Sequence, residues 1–239
     1  MTDNPVEDWR SERTYEILRM PIRLASTDER LGPILDRICE DFASTDDEPI
    51  ATISIRSDDD GFTVWAGGTK KSDILDFDQS VMKLMSTLHR EAMKLCSLWS
   101  VHAGVVSRDG RAVAFPGISG VGKSTLAGAC VAAGWDYVSD ETLSFDPDTM
   151  EVVLYPKPIW MDGKATRSVG LDDAGLTITP DHYKYPVTPR DLGGRIADGP
   201  IRLAHLILIE RSKEDPKIEP LRPAELVTLL LRNTFKKAD

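Results

Sequence analysis

The stretch "GISGVGKST", residues 117–125, constrains this chain more tightly than any other. Gly117, Gly122, Lys123 and Ser124 meet the spacing G-x-x-x-x-G-K-[ST], which carries meaning only where an apolar strand runs into it and a helix leaves it. Both conditions hold: "RAVAF" precedes the motif, and "KSTLAGACVAAG" follows it with Gly134 placed as a helix stop. Strand, tight loop and helix in that order are a unit of an α/β domain. A glycine-rich turn lets successive backbone N–H groups converge on one phosphate, and the helix N-terminus adds its field to theirs. On this reading Gly117, Ile118, Ser119, Gly120, Val121, Gly122, Lys123, Ser124 and Thr125 form a nucleotide cradle, with Gly117, Gly120 and Gly122 supplying the backbone freedom. Lys123 is expected to neutralise phosphate oxygens of ATP, and the Ser124 hydroxyl to coordinate Mg²⁺. The plain alternative is a glycine turn that binds nothing, and the flanking strand and helix weigh against it.

A phosphate site of this kind also needs a carboxylate at the end of a neighbouring strand. "WDYVSDE", residues 135–141, reads as a strand ending in Asp140 and Glu141. Two acids in succession suggest a division of labour, with one beside the metal and the other orienting and deprotonating an attacking hydroxyl or water. A capping or turn pair on the surface is the structural alternative, and the apolar residues that lead into the acids argue against it. His102 lies in "WSVHAGVVS", a strand joined to the P-loop strand by the turn "RDG", so a hairpin would carry it toward the phosphates. Alone, such a histidine is more often a hydrogen-bonded core residue.

The remaining elements follow from periodicity. Residues 1 to about 19 have no clear period and read as a tail. "MPIRLAS" alternates as a strand, and "TDERLGPILDRICEDF" follows as a helix with Thr27 or Asp28 as its cap. "PIATISIRS" and "GFTVWAG" form a hairpin around "DDDG", whose Asp58, Asp59 and Asp60 read as a solvated turn. From Asp76 to Leu98, Val81, Leu84, Met85, Leu88, Ala92, Leu95 and Cys96 mark one apolar helical face, with His89 beside it in a structural or surface role. "TLSFD" and "MEVVLYP" make a further hairpin, and Pro156 to Pro200 reads as loops with short elements. "IRLAHLILIE" is expected as a buried strand and "PAELVTLLLRNTF" as a helix with Pro223 near its first turn. The texture changes near Trp99, which predicts a smaller α+β domain over residues 1–97 and an α/β, P-loop kinase-like domain over 98–239, read as shortened at its C-terminal end.

Charge and cysteine usage limit the partners. Asp and Glu outnumber Lys and Arg 39 to 29, so the surface as a whole repels phosphate backbones and anionic membranes, and no nucleic acid is expected. Cys39, Cys96 and Cys130 lack metal-ligand spacing and read as buried thiols. An N-terminus without an apolar run, and no stretch long enough to cross a bilayer, lead to the expectation of a cytoplasmic protein without a membrane partner. The oligomeric state is left open.

Taken together, "VHAGVV", "FPGISGVGKSTLA" and "GWDYVSDE" resemble the catalytic domain of the HPr kinase/phosphorylase superfamily, in which a histidine strand, a P-loop and a paired-acid motif come in this order. The likeness covers roughly residues 99 to 160, and "GKSTLAGACVAAGWDYVSDE" followed by "YPKPI" is most similar to the members found in peptide-maturation pathways. The resemblance implies that His102 assists at the reacting centre, Lys123 contacts the phosphates, Ser124 and Asp140 hold the metal, and Glu141 stands where the family has its base aspartate. It further implies an arginine downstream, with Arg190 and Arg195 both left as candidates. No loop matches the one that supports dephosphorylation, so phosphorylase activity is not expected. The resulting expectation is an ATP- and Mg²⁺-dependent serine kinase acting on a small protein or precursor peptide. The alternatives are a nucleotide-binding regulatory or peptide-delivery module without transfer, and a plain ATPase.

Overall fold

The structure, a computed structural model, describes residues 8–171, 184–210, 215 and 217–235. It is a mixed α/β chain that divides into two compact units between Ser97 and Leu98. The first unit is a five-stranded sheet in the order β1 (Ser11–Ile17), β2 (Met20–Ser26), β3 (Ala51–Asp58), β4 (Gly61–Ala66) and β5 (Thr69–Lys70). Helix α1 (Leu31–Ile38) links the parallel pair β2 and β3, and α2 (Phe77–Leu95) follows the last strand. Alternation sorts Tyr15, Ile17, Ile22, Leu24, Ile53, Ile55 and Val64 into the core, where α2 adds Val81, Leu84, Met85, Leu88 and Ala92. Asp76 caps α2 in a reciprocal box with Gln79, as its sequence position suggests.

Three expectations for this unit need correction. Residues 11–17 are not a tail but a strand, paired antiparallel with β2 from Ser11↔Ser26 to Ile17↔Met20. The hairpin turns on Leu18 and Arg19 at φ 51° and 67°. Turns with both central residues at positive φ are normally announced by Gly, Asn or Asp, and Leu-Arg announces nothing. Helix α1 begins only at Leu31, because Asp28 spends its carboxylate on the backbone N–H and guanidinium of Arg30 in a turn that precedes the helix. Leu95, placed on the apolar face by spacing, ends α2 at 46% exposure.

The second unit is built around β6 (Trp99–Arg108), which makes a hairpin with β7 (Arg111–Pro116) through Asp109 and Gly110 at φ 52° and 70°. The P-loop then leads into α3 (Lys123–Ala132), and β8 (Asp136–Ser139), β9 (Thr142–Phe145) and β10 (Glu151–Val153) follow. A small antiparallel pair, β11 (Ile159–Met161) and β12 (Tyr185–Val187), brackets α4 (Gly163–Ser168); a 3₁₀ turn at Arg190–Leu192 precedes β13 (Ile201–Leu206) and α5 (Pro223–Asn233). Residues 172–183, inside the region expected as loops, lie outside the described residues.

The strands pair in the order β7, β13, β10, β9, β6, β8, and the β6–β7 pairing closes the first five into a ring. Successive residues of the ring strands point to opposite sides. Val101, Ala103, Val105, Ala112, Ala114, Leu143, Phe145, Val152 and Ile201 pack together on one side, while Val106, Val113 and Phe115 pack with Ala127 and Val131 of α3, Ile159 and Met161 on the other. Strand β13 lies parallel to β7, yet only Ile201 of it is buried, which corrects the expectation of a fully buried strand. It is a wall of the ring with one side open, not a layer covered on both faces.

Candidate functional site

Strand β6 is antiparallel to both β7 and β8, so β7 and β8 run the same way on its two edges. The end of β7 and the end of β8 therefore arrive at one level of β6, near residues 102 to 105: Pro116 faces Ala103, and Ser139 faces Val105. This topology, and not proximity in sequence, assembles the motifs. The Gly117 N–H donates to the His102 carbonyl at 3.3 Å, the Ala103 N–H donates to the Glu141 carbonyl at 3.3 Å, and His102 Nδ1 lies 2.8 Å from that same Glu141 oxygen. The glycine loop and the acid pair thus flank His102 from the two edges of β6, at one level of the strand.

In the loop, Gly120 and Gly122 adopt φ 82° and 115°, values that L side chains seldom take, with open space where a Cβ would stand. Gly117 differs: its φ is ordinary, and a Cβ there would come within 3.2 Å of Val121 Cγ1, a tight contact that a small shift of that side chain relieves. Gly104 likewise admits α3, since its Cβ would meet the Lys123 carbonyl at 3.2 Å. The first turn of the helix consequently lies directly over β6. Lys123 is buried, and its Nζ donates to the carbonyls of Gly117 and Ile118 at 2.8 Å each. Burial holds its ammonium below the usual lysine range, against the opposing pull of Glu141 and Asp140. Ile118, Ser119 and Gly120 face solvent, while Val121, Ser124 and Thr125 are half-buried.

The acid pair stands directly after β8, as its sequence position suggests, but the chain does not leave the sheet there. Both β8 and β9 pair with the same edge of β6, Val105↔Ser139 before the acids and His102↔Thr142 after them, so Asp140 and Glu141 interrupt one continuous line of chain. Ser139 Oγ accepts from the N–H groups of Glu141 and Thr142 at 3.2 and 3.1 Å, which turns the backbone locally. In an unbroken strand consecutive side chains point to opposite faces. Here both carboxylates reach one ammonium: Lys157 Nζ lies 2.9 Å from Asp140 Oδ1 and 3.1 Å from Glu141 Oε2, with its third contact to the Pro158 carbonyl at 3.4 Å.

Lys157 was not anticipated. It sits between two prolines in "YPKPI", and it is brought to the acids by the Tyr155 N–H, which donates to the Val138 carbonyl at 3.1 Å. Burial works to lower its pKa, but the charges of Asp140 and Glu141 outweigh it, and the group ends above the usual lysine range. Tyr137 Oη is 3.1 Å from Asp140 Oδ1 and 2.9 Å from the Lys157 carbonyl, so its one proton serves either acceptor. Burial first, then the Asp140 charge, push that phenol well above its ordinary value.

Asp140 is thus enclosed, while the Glu141 side chain keeps 29% of its surface and lies 3.7 Å from His102 Nδ1. Arg195 pairs with Asp136 at 2.7 Å, at the opposite end of β8, and Arg190 is an exposed residue opening the 3₁₀ turn. Among the described residues no three His, Cys, Asp or Glu side chains gather as a metal cage. A Mg²⁺ site beside a nucleotide does not require one, since one or two protein oxygens plus phosphates and water suffice. Ser124 and Asp140 offer the hard oxygen donors such an ion takes. No helix among the described residues is long and apolar enough to cross a membrane. No family model matches the chain, and no curated protein or solved structure does so either.

Proposed function

We propose that this chain is an ATP- and Mg²⁺-dependent kinase of the HPr kinase-like type, transferring the γ-phosphoryl group to a serine hydroxyl of a small protein or precursor peptide. The observation that supports the reading is the convergence on one level of β6: from one edge the Gly117 N–H bonds to the His102 carbonyl, and from the other the Glu141 backbone carbonyl meets the His102 ring. A phosphate-binding turn, a titratable ring and a carboxylate meeting at one sheet level are the parts a phosphoryl transfer needs. The loop N–H groups and the α3 N-terminus hold the polyphosphate, and Lys123 exchanges its contacts with the Gly117 and Ile118 carbonyls for phosphate oxygens. The acceptor oxygen forms a bond to the γ-phosphorus as the bond to the β–γ bridging oxygen breaks, and ADP leaves with that electron pair. The hydroxyl proton passes to the His102–Glu141 pair, within which Glu141 is the carboxylate with access to solvent. Lys157 keeps Asp140 and Glu141 from repelling each other and holds both oriented. Mg²⁺, held by Ser124 and Asp140, would supply charge neutralisation to the phosphate oxygens.

Substituting Lys123 by Ala tests the reading. Transfer of label from γ-labelled ATP to candidate peptides is expected to fall by about a thousandfold or more with the fold retained by circular dichroism. Undiminished transfer in this variant would refute the assignment. A second reading draws on the Lys157 clamp: an ammonium 3.1 Å from Glu141 weakens it as a proton acceptor, which suits a module that binds nucleotide without transferring phosphate. ATP binding by calorimetry, with neither ADP nor labelled product over a peptide panel, would favour that module over the kinase.

A further inference from the structure

Where β7 ends, β6 is left with an unpaired stretch on that edge, and a segment from the far end of the unit takes it over. Helix α5 lies against β6 and β7, with Leu230 packed on the apolar side of the ring. It stops at Asn233; Thr234 turns the chain to an extended conformation and bonds its hydroxyl back to the Leu230 carbonyl at 2.7 Å. Thr234 then forms an antiparallel bridge with Val101, and the Phe235 N–H donates to the Ser100 carbonyl at 3.1 Å. This pairing continues on β6 from the point where Gly117 leaves it at His102. It sets the Phe235 ring against the His102 imidazole, with centroids 5.9 Å apart and planes at 77°. That is the edge-to-face geometry aromatic rings favour.

The imidazole is consequently held from two sides. On one, Nδ1 faces the Glu141 backbone carbonyl at 2.8 Å. A carbonyl oxygen only accepts, so a neutral ring must carry its proton on Nδ1, and Nε2 keeps the lone pair. On the other side, the Phe235 ring limits rotation that would exchange the two nitrogens. We infer that Phe235 is a positioning residue for the reaction, fixing His102 with Nδ1–H on the Glu141 carbonyl and Nε2 as the proton-accepting nitrogen of the ring. The inference rests on the kinase reading for its consequence in catalysis, but not for its geometry. Thr234 and Phe235, read from sequence as part of a helix, instead pair with β6 beside His102.

The full chain labelled with ¹⁵N-histidine gives a test that needs no substrate. Two-bond proton–nitrogen correlation at a pH where the ring is neutral reads the tautomer, with His102 identified by the signal that His102→Gln removes. The Nδ1–H pattern is expected in the unsubstituted chain, and Phe235→Ala is expected to mix in the Nε2–H form. The same variant is expected to lower kcat for transfer about ten- to a hundredfold while KM for ATP stays within about twofold. Phe235→Tyr keeps the ring edge and should restore both readouts. If Phe235→Ala loosens α5, as circular dichroism and melting would reveal, Phe235→Leu carries the test with the bulk kept and the ring removed. An unchanged His102 pattern in a folded Phe235→Ala or Phe235→Leu chain overturns the inference, whatever the rate. A chain that binds ATP and transfers nothing, while its His102 pattern still moves on substitution of Phe235, refutes the kinase reading and supports the positioning role.

Discussion

Arg13 and Asp36 of the first unit meet at 3.2 Å with about half of each side chain in solvent, whereas Lys157 and Asp140 of the second meet at 2.9 Å with 4% and 3% exposed. The pattern extends beyond these two pairs. Arg30 with Asp28, and Lys94 with Glu91, keep at least one partner well exposed, so water carries most of the solvation. In the second unit Lys123, Asp140 and Lys157 are all buried at one level of β6. Taking an ion from water costs several kcal/mol, and a pair of apolar side chains of the same volume would often serve folding as well or better. Among the described residues of the first unit no charged side chain is buried, so its sheet-and-helix core is built without buried ions. Their concentration at one level of β6 in the second is what the proposed phosphoryl transfer would account for.

The largest effect that could break this contrast is on stability. Lys157→Met leaves Asp140 and Glu141 without their common cation, and removing one partner of a buried pair is expected to cost about 3–5 kcal/mol in urea unfolding. Combining it with Asp140→Asn should recover part of the loss, because the remaining enclosed group is then neutral. A cost below about 1 kcal/mol for Lys157→Met would put the pair in the same class as surface pairs.

The alkaline limb of stability sharpens the comparison further. Lys157 has a folded pKa above the unfolded value, so its contribution is complete below the usual lysine range and is lost as pH rises through the folded pKa. Lys123 is shifted the other way, and what it costs as a buried cation is relieved as pH rises above its folded pKa. Tyr137 stays protonated when folded at a pH where the unfolded phenol ionises, so it adds to the loss above about pH 10. Tyr137→Phe is expected to cost about 1 kcal/mol at neutral pH through the missing hydrogen bond, and to flatten the decline of stability above pH ~10. Denaturant midpoints across an alkaline series check both; a decline as steep as in the unsubstituted chain would remove Tyr137 from the linkage.

How much of this could be read beforehand depended on whether a physical demand was written in residue type. The glycine loop before α3 was legible because positive φ at Gly120 and Gly122 favours glycine, and because Lys123 opens the helix at fixed spacing. The α2 face and the β3–β4 hairpin were legible from period and turn composition. Lys157 was not, because a lysine between prolines reads as a solvated loop residue, and only the return of Tyr155 to β8 buries it. The convergence of Asp140 and Glu141 was hidden as well: it depends on Ser139 breaking an alternation that sequence alone would continue. Phe235 looked like the end of a helix, since nothing local says that β6 has a free edge waiting for it. Local demands leave local marks; a pairing between distant strands leaves none.

The smallest expected effect closes the comparison from the side of the first unit. Arg13 Nε donates to Asp36 Oδ1 at 3.2 Å, and its Nη1 donates to the Glu12 carbonyl at 2.8 Å. By distance alone the Arg13–Asp36 contact resembles the Lys157 contacts closely. Yet both side chains stand in water, where Coulomb attraction is weak, salt screens it, and holding two long side chains in one geometry costs entropy. Arg13→Ala is therefore expected to change unfolding free energy by less than about 0.5 kcal/mol, and to do so less at 1 M salt than at low salt. A loss comparable to that of Lys157→Met would mean that distance, not burial, sets the worth of an ion pair in this chain, and the buried charges beside β6 would no longer stand apart from those of the first unit.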